Sequence, residues 1–174
     1  MFKQLIAVSV VALCVGVGVT AAQSTTQLPQ VGDTYIWHGE FVSFDEGTKV
    51  LTLKAQVLAE VEKDVARFKA GERILLTWSG ADRYAGAVRR ITSHTAAQKV
   101  TEPFSLVAEL TSPVVQGGLI TFKLGAPEAK SDALKGVRSG EWVTVTARQR
   151  PVSETQAVAA VERYVKSTQG TSTN

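Results

Sequence analysis

Tyr35-Ile36-Trp37-His38-Gly39-Glu40-Phe41-Val42 alternates its larger apolar side chains with smaller or polar ones, and the alternation returns at Phe104-Ser105-Leu106-Val107-Ala108-Glu109-Leu110. A period of two is that of a strand with one buried face. From position 35 to position 104 is an offset of 69 residues, and it holds along the chain without a gap. Leu51, Leu53 and Ala55 fall on Ile120, Phe122 and Leu124. Val65 and Phe68 fall on Leu134 and Val137, and Gly71-Glu72 falls on Gly140-Glu141. Ile74, Leu76 and Trp78 fall on Val143, Val145 and Ala147. Beyond that point a small insertion brings Val88 and Ile91 onto Val161 and Tyr164. A one-residue slip would turn a strand's apolar set to solvent. A match kept through three strands therefore predicts two copies of one β unit.

The connections fit that reading. Asp45-Glu46-Gly47-Thr48 is a turn signal that joins the first strand to an alternating run at 50–57, making a hairpin. Residues 59–68 are charged, with Val61, Val65 and Phe68 at helical spacing, which predicts a short helix or wrapped loop. Ile74, Leu76 and Trp78 mark a third strand, and residues 84–91 a fourth. Residues 154–165 carry Val158, Val161 and Val165 at helical spacing, whereas the repeat makes them a strand. Each unit has roughly 60 residues, the size at which a lone core is marginal. A hairpin, a short helical connection and a further strand pair outline a small Greek-key barrel such as the OB-fold. The expected fold class is all-β with short helices, as two tandem OB-like small β-barrels. The first unit spans 35–93, a linker 94–102, and the second unit 103–165.

The ends of the chain read differently. Met1-Phe2-Lys3-Gln4 precedes an uncharged apolar run that ends at the small residues Thr20-Ala21-Ala22. These are the three parts of a secretory signal, expected at 1–22. The run is also just long enough to cross a bilayer, at about 20 apolar residues, but its small-residue end favours cleavage. Cys14 follows Leu13, which is not the small residue a lipid-bearing cysteine needs before it. Residues 23–34 are polar with Pro29 and Gly32 and read as a flexible leader, and 166–174 as a disordered tail. The expected destination is outside the cytoplasm, periplasmic or secreted.

Once the signal is removed, no cysteine or methionine is left, since Cys14 is the sole cysteine and Met1 the sole methionine. Thiol chemistry, cysteine-ligated zinc, iron–sulfur clusters and methionine-based metal sites are thereby excluded. Of 19 basic residues one, Lys3, leaves with the signal, so 18 face 16 acidic residues. That balance does not favour nucleic acid or an anionic membrane as the main partner.

The runs Gly39-Glu40-Phe41-Val42-Ser43-Phe44-Asp45, Val50-Leu51-Thr52-Leu53 and Phe68-Lys69-Ala70-Gly71-Glu72-Arg73-Ile74 resemble a style of bacterial exported β-barrel domain. In that style G-x-V-x-x-V-D leads an alternating strand, then L-x-x-G-D-x-V-x-V. The second unit carries it more loosely at Ala108-Glu109-Leu110 and Val137-Arg138-Ser139-Gly140-Glu141-Trp142-Val143. OB-like periplasmic domains and the small copper chaperones of copper-efflux systems share the outline. The resemblance covers most of 36–165 and implies a barrel, while its motif marks turns and core positions. The chaperones hold metal through methionines, a histidine and a tryptophan. Here the methionines are absent, and the neighbours Trp37 and His38 point to opposite faces of a strand, so that metal site does not carry over.

Candidate chemistry is sparse. There is no Gly-x-Ser-x-Gly elbow, Asp45 and Glu46 lie in a turn, and Gly117-Gly118 has no helix start behind it to cradle phosphate. No catalytic residue or cofactor is expected. His38 and His94, helped by Glu40, are the only imidazole pair available to zinc or copper. Trp37 and Trp78 lie on core faces, whereas Trp142 alternates with Thr144 and Thr146 and faces away from Val143. An outward Trp142 is either a binding contact or covered by the other unit. Arg83, Arg89 and Arg90 with Arg67 and Lys69 read as a solvated face. The expectation is an exported, non-catalytic binding or adaptor protein of the bacterial cell envelope, with an envelope protein or glycan as partner and Trp142, His38 and Glu40 as binding residues. The alternative is a periplasmic metal-handling protein using His38 and His94.

Overall fold

A computed structural model describes residues 30–31, 33–79, 87–150 and 153–165. The expected signal at 1–22, most of the leader and the tail at 166–174 lie outside the described residues, as do Arg83 and Tyr84. The elements run β1 (Gln30–Val31), β2 (Thr34–Asp45), β3 (Val50–Gln56), α1 (Ala59–Val65), β4 (Arg73–Ser79) and β5 (Ala87–Ser93). They continue with β6 (Ser105–Gln116), β7 (Leu119–Gly125), α2 (Ser131–Leu134), β8 (Trp142–Arg148), a 3-10 turn at Glu154–Gln156, and β9 (Val158–Arg163). The chain is thus mainly antiparallel β-sheet with two short helices. Residues 154–165, which carry both a helical and a strand signal, divide between the 3-10 turn and β9.

The alternation explains the burial. Tyr35, Trp37, Gly39 and Phe41 point inward from β2, and Leu51, Leu53 and Ala55 from β3. Ile74, Leu76 and Trp78 do so from β4, and Ile120, Phe122 and Leu124 from β7. Val61 and Val65 bury one side of α1, and Leu134 anchors α2. The helices close the sheet's ends, α1 against β5 and α2 against β9. Neither helix has a side-chain cap, so both rest on this packing. All the inward faces merge in one core. At its centre the Trp37 and Trp78 rings lie 4.5 Å apart, with Phe122 at 6.1 and 6.3 Å. Burying each such ring stabilises the fold by about 1.5–3 kcal/mol.

The strand order is β5-β4-β6-β7-β3-β2-β8-β9, with β1 added to β2. The end of the expected leader therefore pairs into the sheet, Gln30 with Tyr35 and Val31 with Thr34. The path is open at both ends rather than closed into barrels. It reads the same backwards when each strand of 35–93 is exchanged for its counterpart in 103–165. Three of its pairs, β2–β8, β4–β6 and β3–β7, join one half to the other. The halves are not strung side by side on the linker at 94–102; they interleave in one sheet around one core. Each half is small, and pairing with the other covers strand edges it would otherwise expose.

The registers agree in detail. In β2–β3, Glu40 faces Lys54 and Phe41 faces Leu53, then a bulge sets Ser43 on Thr52. In β6–β7, Glu109 faces Lys123 and Leu110 faces Phe122, then a bulge sets Ser112 on Thr121. In β4–β5, Leu76 faces Ile91 and a bulge follows before Trp78 meets Val88. In β8–β9, Val145 faces Val161 and the same bulge precedes Ala147 against Val158. Val88 and Ile91 therefore correspond to Val158 and Val161, not to Val161 and Tyr164 as the sequence alignment places them. Both pairs are three apart, so spacing alone does not choose between them; the register of β9 on β8, with its bulge before Ala147, does. One further contact leaves the main path. Val57 forms a parallel bridge to Val88, and the Leu58 N–H donates to the Val88 carbonyl at 2.9 Å.

Candidate binding face

The outward residues of β2, β8 and the end of β9 share one surface. His38 sits opposite Thr144 and Glu40 opposite Trp142. Thr144 in turn sits opposite Glu162. Past the end of β9 the Tyr164 N–H donates to the Trp142 carbonyl at 3.0 Å, which continues the pairing by one step. Directly opposed residues project to the same face, so Trp142, Tyr164, His38 and Glu40 stand together. Trp142 is 40% exposed and Tyr164 39%, whereas Trp37 and Trp78 are buried at 0% and 1%.

The Tyr164 ring meets the His38 ring edge-on at 4.6 Å. His38 Nδ1 lies 3.3 Å from the Thr144 hydroxyl. Partial burial holds the His38 imidazole below its ordinary pKa, so it favours the neutral ring. Beside it, Lys54 Nζ donates to Glu40 Oε1 at 2.6 Å in a partly buried pair. The surface is therefore two exposed aromatic rings and an imidazole, flanked by a closed ion pair and hydroxyls.

His94 lies elsewhere. Its side chain is buried, and Nε2 is 3.1 Å from Glu154 Oε1 on the 3-10 turn. Arg73 closes on the same carboxylate. The two histidines thus have separate partners, and no group of three metal-ligating side chains forms among the described residues. Arg89 and Arg90 both reach Glu102, and Arg67 pairs with Asp64, as solvated surface charges do.

A cleft of about 590 Å³ opens near Arg73, Asp45, Glu109, Lys123 and Glu154. Its charges are already matched: Arg73 pairs with Glu154, Lys123 lies 3.8 Å from Glu109, and Asp45 accepts the Gly47 and Thr48 N–H groups. Hydrogen bonds from Thr48 hold the Asp45 carboxyl below its usual pKa, as a capped turn requires.

The sequence identifies three of these face residues, Trp142, His38 and Glu40. It misses Tyr164, which the alignment assigns to a core position. The pairing of β8 with β9 is the missing signal, because it turns Tyr164 to the side of Trp142. Lys54 follows from the β2–β3 hairpin register once the bulge after Phe41 is placed. No known protein-family model, curated protein or solved structure matches this chain. No helix among the described residues is long and apolar enough to cross a membrane.

Proposed function

We propose that this chain is an exported binding or adaptor protein of the bacterial cell envelope that works without catalysis through the outer face of β2, β8 and β9. The observation that carries the reading is the joint exposure of Trp142 and Tyr164 beside His38. Large exposed rings fixed on a rigid sheet are the side chains on which binding energy concentrates. The partner is an envelope protein or a glycan. Export rests on the leader pattern at 1–22.

The same reading makes the fold a duplicated OB-like unit whose strands are shared. The parallel Val57–Val88 bridge, just past the end of β3, and the β4–β6 pair support a unit built from β6, β7, β3, β5 and β4. Its helix α1 lies between β3 and β4, where an OB barrel carries one. The matching unit of β2, β3, β7, β8 and β9 shares the two central strands β3 and β7. Identical bulge positions in the two halves support the duplication.

Two experiments test the proposal. Fractionating cells that express the full chain places it: a leader-less product in the periplasm or medium is expected, and a full-length cytoplasmic product contradicts export. Affinity capture from envelope extract with the wild-type chain and with Trp142→Ala tests the face. Loss of the captured component in the variant is expected, and unchanged capture contradicts the face.

A further inference from the structure

Resting on that reading, we infer that the Trp142–Tyr164–His38 face binds a neutral oligosaccharide. Three observations lead there. The first is charge. Lys54 is neutralised by Glu40 at 2.6 Å, and the exposed Glu162 stands opposite Thr144 on the same side. An anionic polymer needs a basic groove beside its stacking rings, and this face offers none.

The second is the spread of apolar surface. A stable protein–protein contact buries about 1,200–2,000 Å² around an apolar centre. Here Trp142 and Tyr164, directly opposed on β8 and just past the end of β9, form one small two-ring patch bordered by Glu40, Lys54, Thr144 and Glu162, far short of that area. A sugar ring matches that pattern. Its C–H bonds meet the electron-rich face of an aromatic ring, and its hydroxyls find the carboxylate, ammonium and hydroxyl groups beside it. Neighbouring strands are about 4.8 Å apart, so Trp142 on β8 and Tyr164 beyond β9 offer stacking positions side by side.

The third is the comparison with the other half. The positions equivalent to Trp142, Tyr164 and His38 are Arg73, His94 and Val107, by the registers given above. There the chain supplies its own occupant: Glu154 of the 3-10 turn bonds both Arg73 and His94. One face of the duplicated fold is filled by an internal carboxylate. Its counterpart carries the exposed Trp142 and the exposed Tyr164 ring, which meets His38 edge-on at 4.6 Å.

The test uses the full exported chain and intrinsic tryptophan emission, with cellohexaose, laminarihexaose and chitohexaose as probes. Trp142 is the exposed tryptophan, so its emission reports on this face. A saturable shift with at least one hexasaccharide is expected, with affinity lost by roughly tenfold or more in Trp142→Ala and partly kept in Trp142→Phe. Circular dichroism on both variants verifies the fold. An oligonucleotide hexamer is expected to leave the emission unchanged. No response to any of the three sugars, or equal binding by wild type and Trp142→Ala, overturns the inference. If the sugars fail while envelope capture still depends on Trp142, the glycan assignment falls and the binding face stands. If capture is also indifferent to Trp142, both fall.

Discussion

Leu53 and Phe122 face each other across the β3–β7 pair, and each is the other's equivalent 69 positions along the chain. Equivalent residues meet in this way where a twofold axis crosses an antiparallel pair. The remaining registers obey the same axis: Glu40 on Trp142 in β2–β8 is answered by Arg73 on Glu109 in β4–β6. The sheet is thus built around an internal dyad, and departures from symmetry mark where the halves have diverged.

Gly39 is one such departure. A Cβ there would lie 3.0 Å from the Lys54 carbonyl and 3.2 Å from the Trp37 ring. The equivalent residue is Ala108, beside Leu106 where the first half has Trp37. The Lys54 carbonyl and the larger indole of the first half together crowd a methyl there. Gly39→Ala is expected to cost about 1–3 kcal/mol through overpacking, read from the urea midpoint. In a Trp37→Leu background the added cost should shrink, giving a coupling of about 0.5 kcal/mol or more. Strict additivity would contradict the shared-space account.

Tyr35 presents a buried hydroxyl with no hydrogen-bond partner among the described residues, and its ring packs edge-on against Phe104 at 5.4 Å. Burial pushes the phenol's pKa far above its ordinary value, so it stays neutral. Phenylalanine would keep the ring and remove the orphan group. Tyr35→Phe is expected to leave stability unchanged or raise it by about 1 kcal/mol. A loss beyond about 1 kcal/mol in chemical denaturation would mean the hydroxyl has a structural partner.

His38 gives a pH dependence with a definite sign. Its folded-state pKa is lowered by burial, so the unfolded chain takes up a proton at higher pH than the folded one. Stability is therefore full above the ordinary histidine value of about 6.5 and falls as pH drops through it. The His38→Gln variant should show a flatter slope between pH values of about 7.5 and 5 in urea titrations. An identical slope in the variant would assign the effect to other groups.

Much of the fold is legible in the sequence because strand alternation is local. Trp37, Leu53, Leu76 and Trp78 are buried where their spacing puts them, and Asp45 caps the turn it signals. Partner choice between strands is not local. Nothing in the residues of β2 alone says that it lies beside β8 as well as β3. The site shows the same division: Trp142 and His38 stand out by type and alternation, while Tyr164 joins them only through the bulged pairing of β8 with β9.

The most direct test of the interleaved sheet is to express 30–102 and 103–165 separately and together, following near-ultraviolet circular dichroism of the packed Trp37 and Trp78. These rings come from strands paired through opposite halves, Trp37 beside Val145 and Leu76 of the Trp78 strand beside Leu106. Neither fragment is expected to fold as a monomer, and mixing should restore a cooperative unfolding transition and the aromatic signal. A stable, cooperatively folded monomer from either fragment alone would contradict the account.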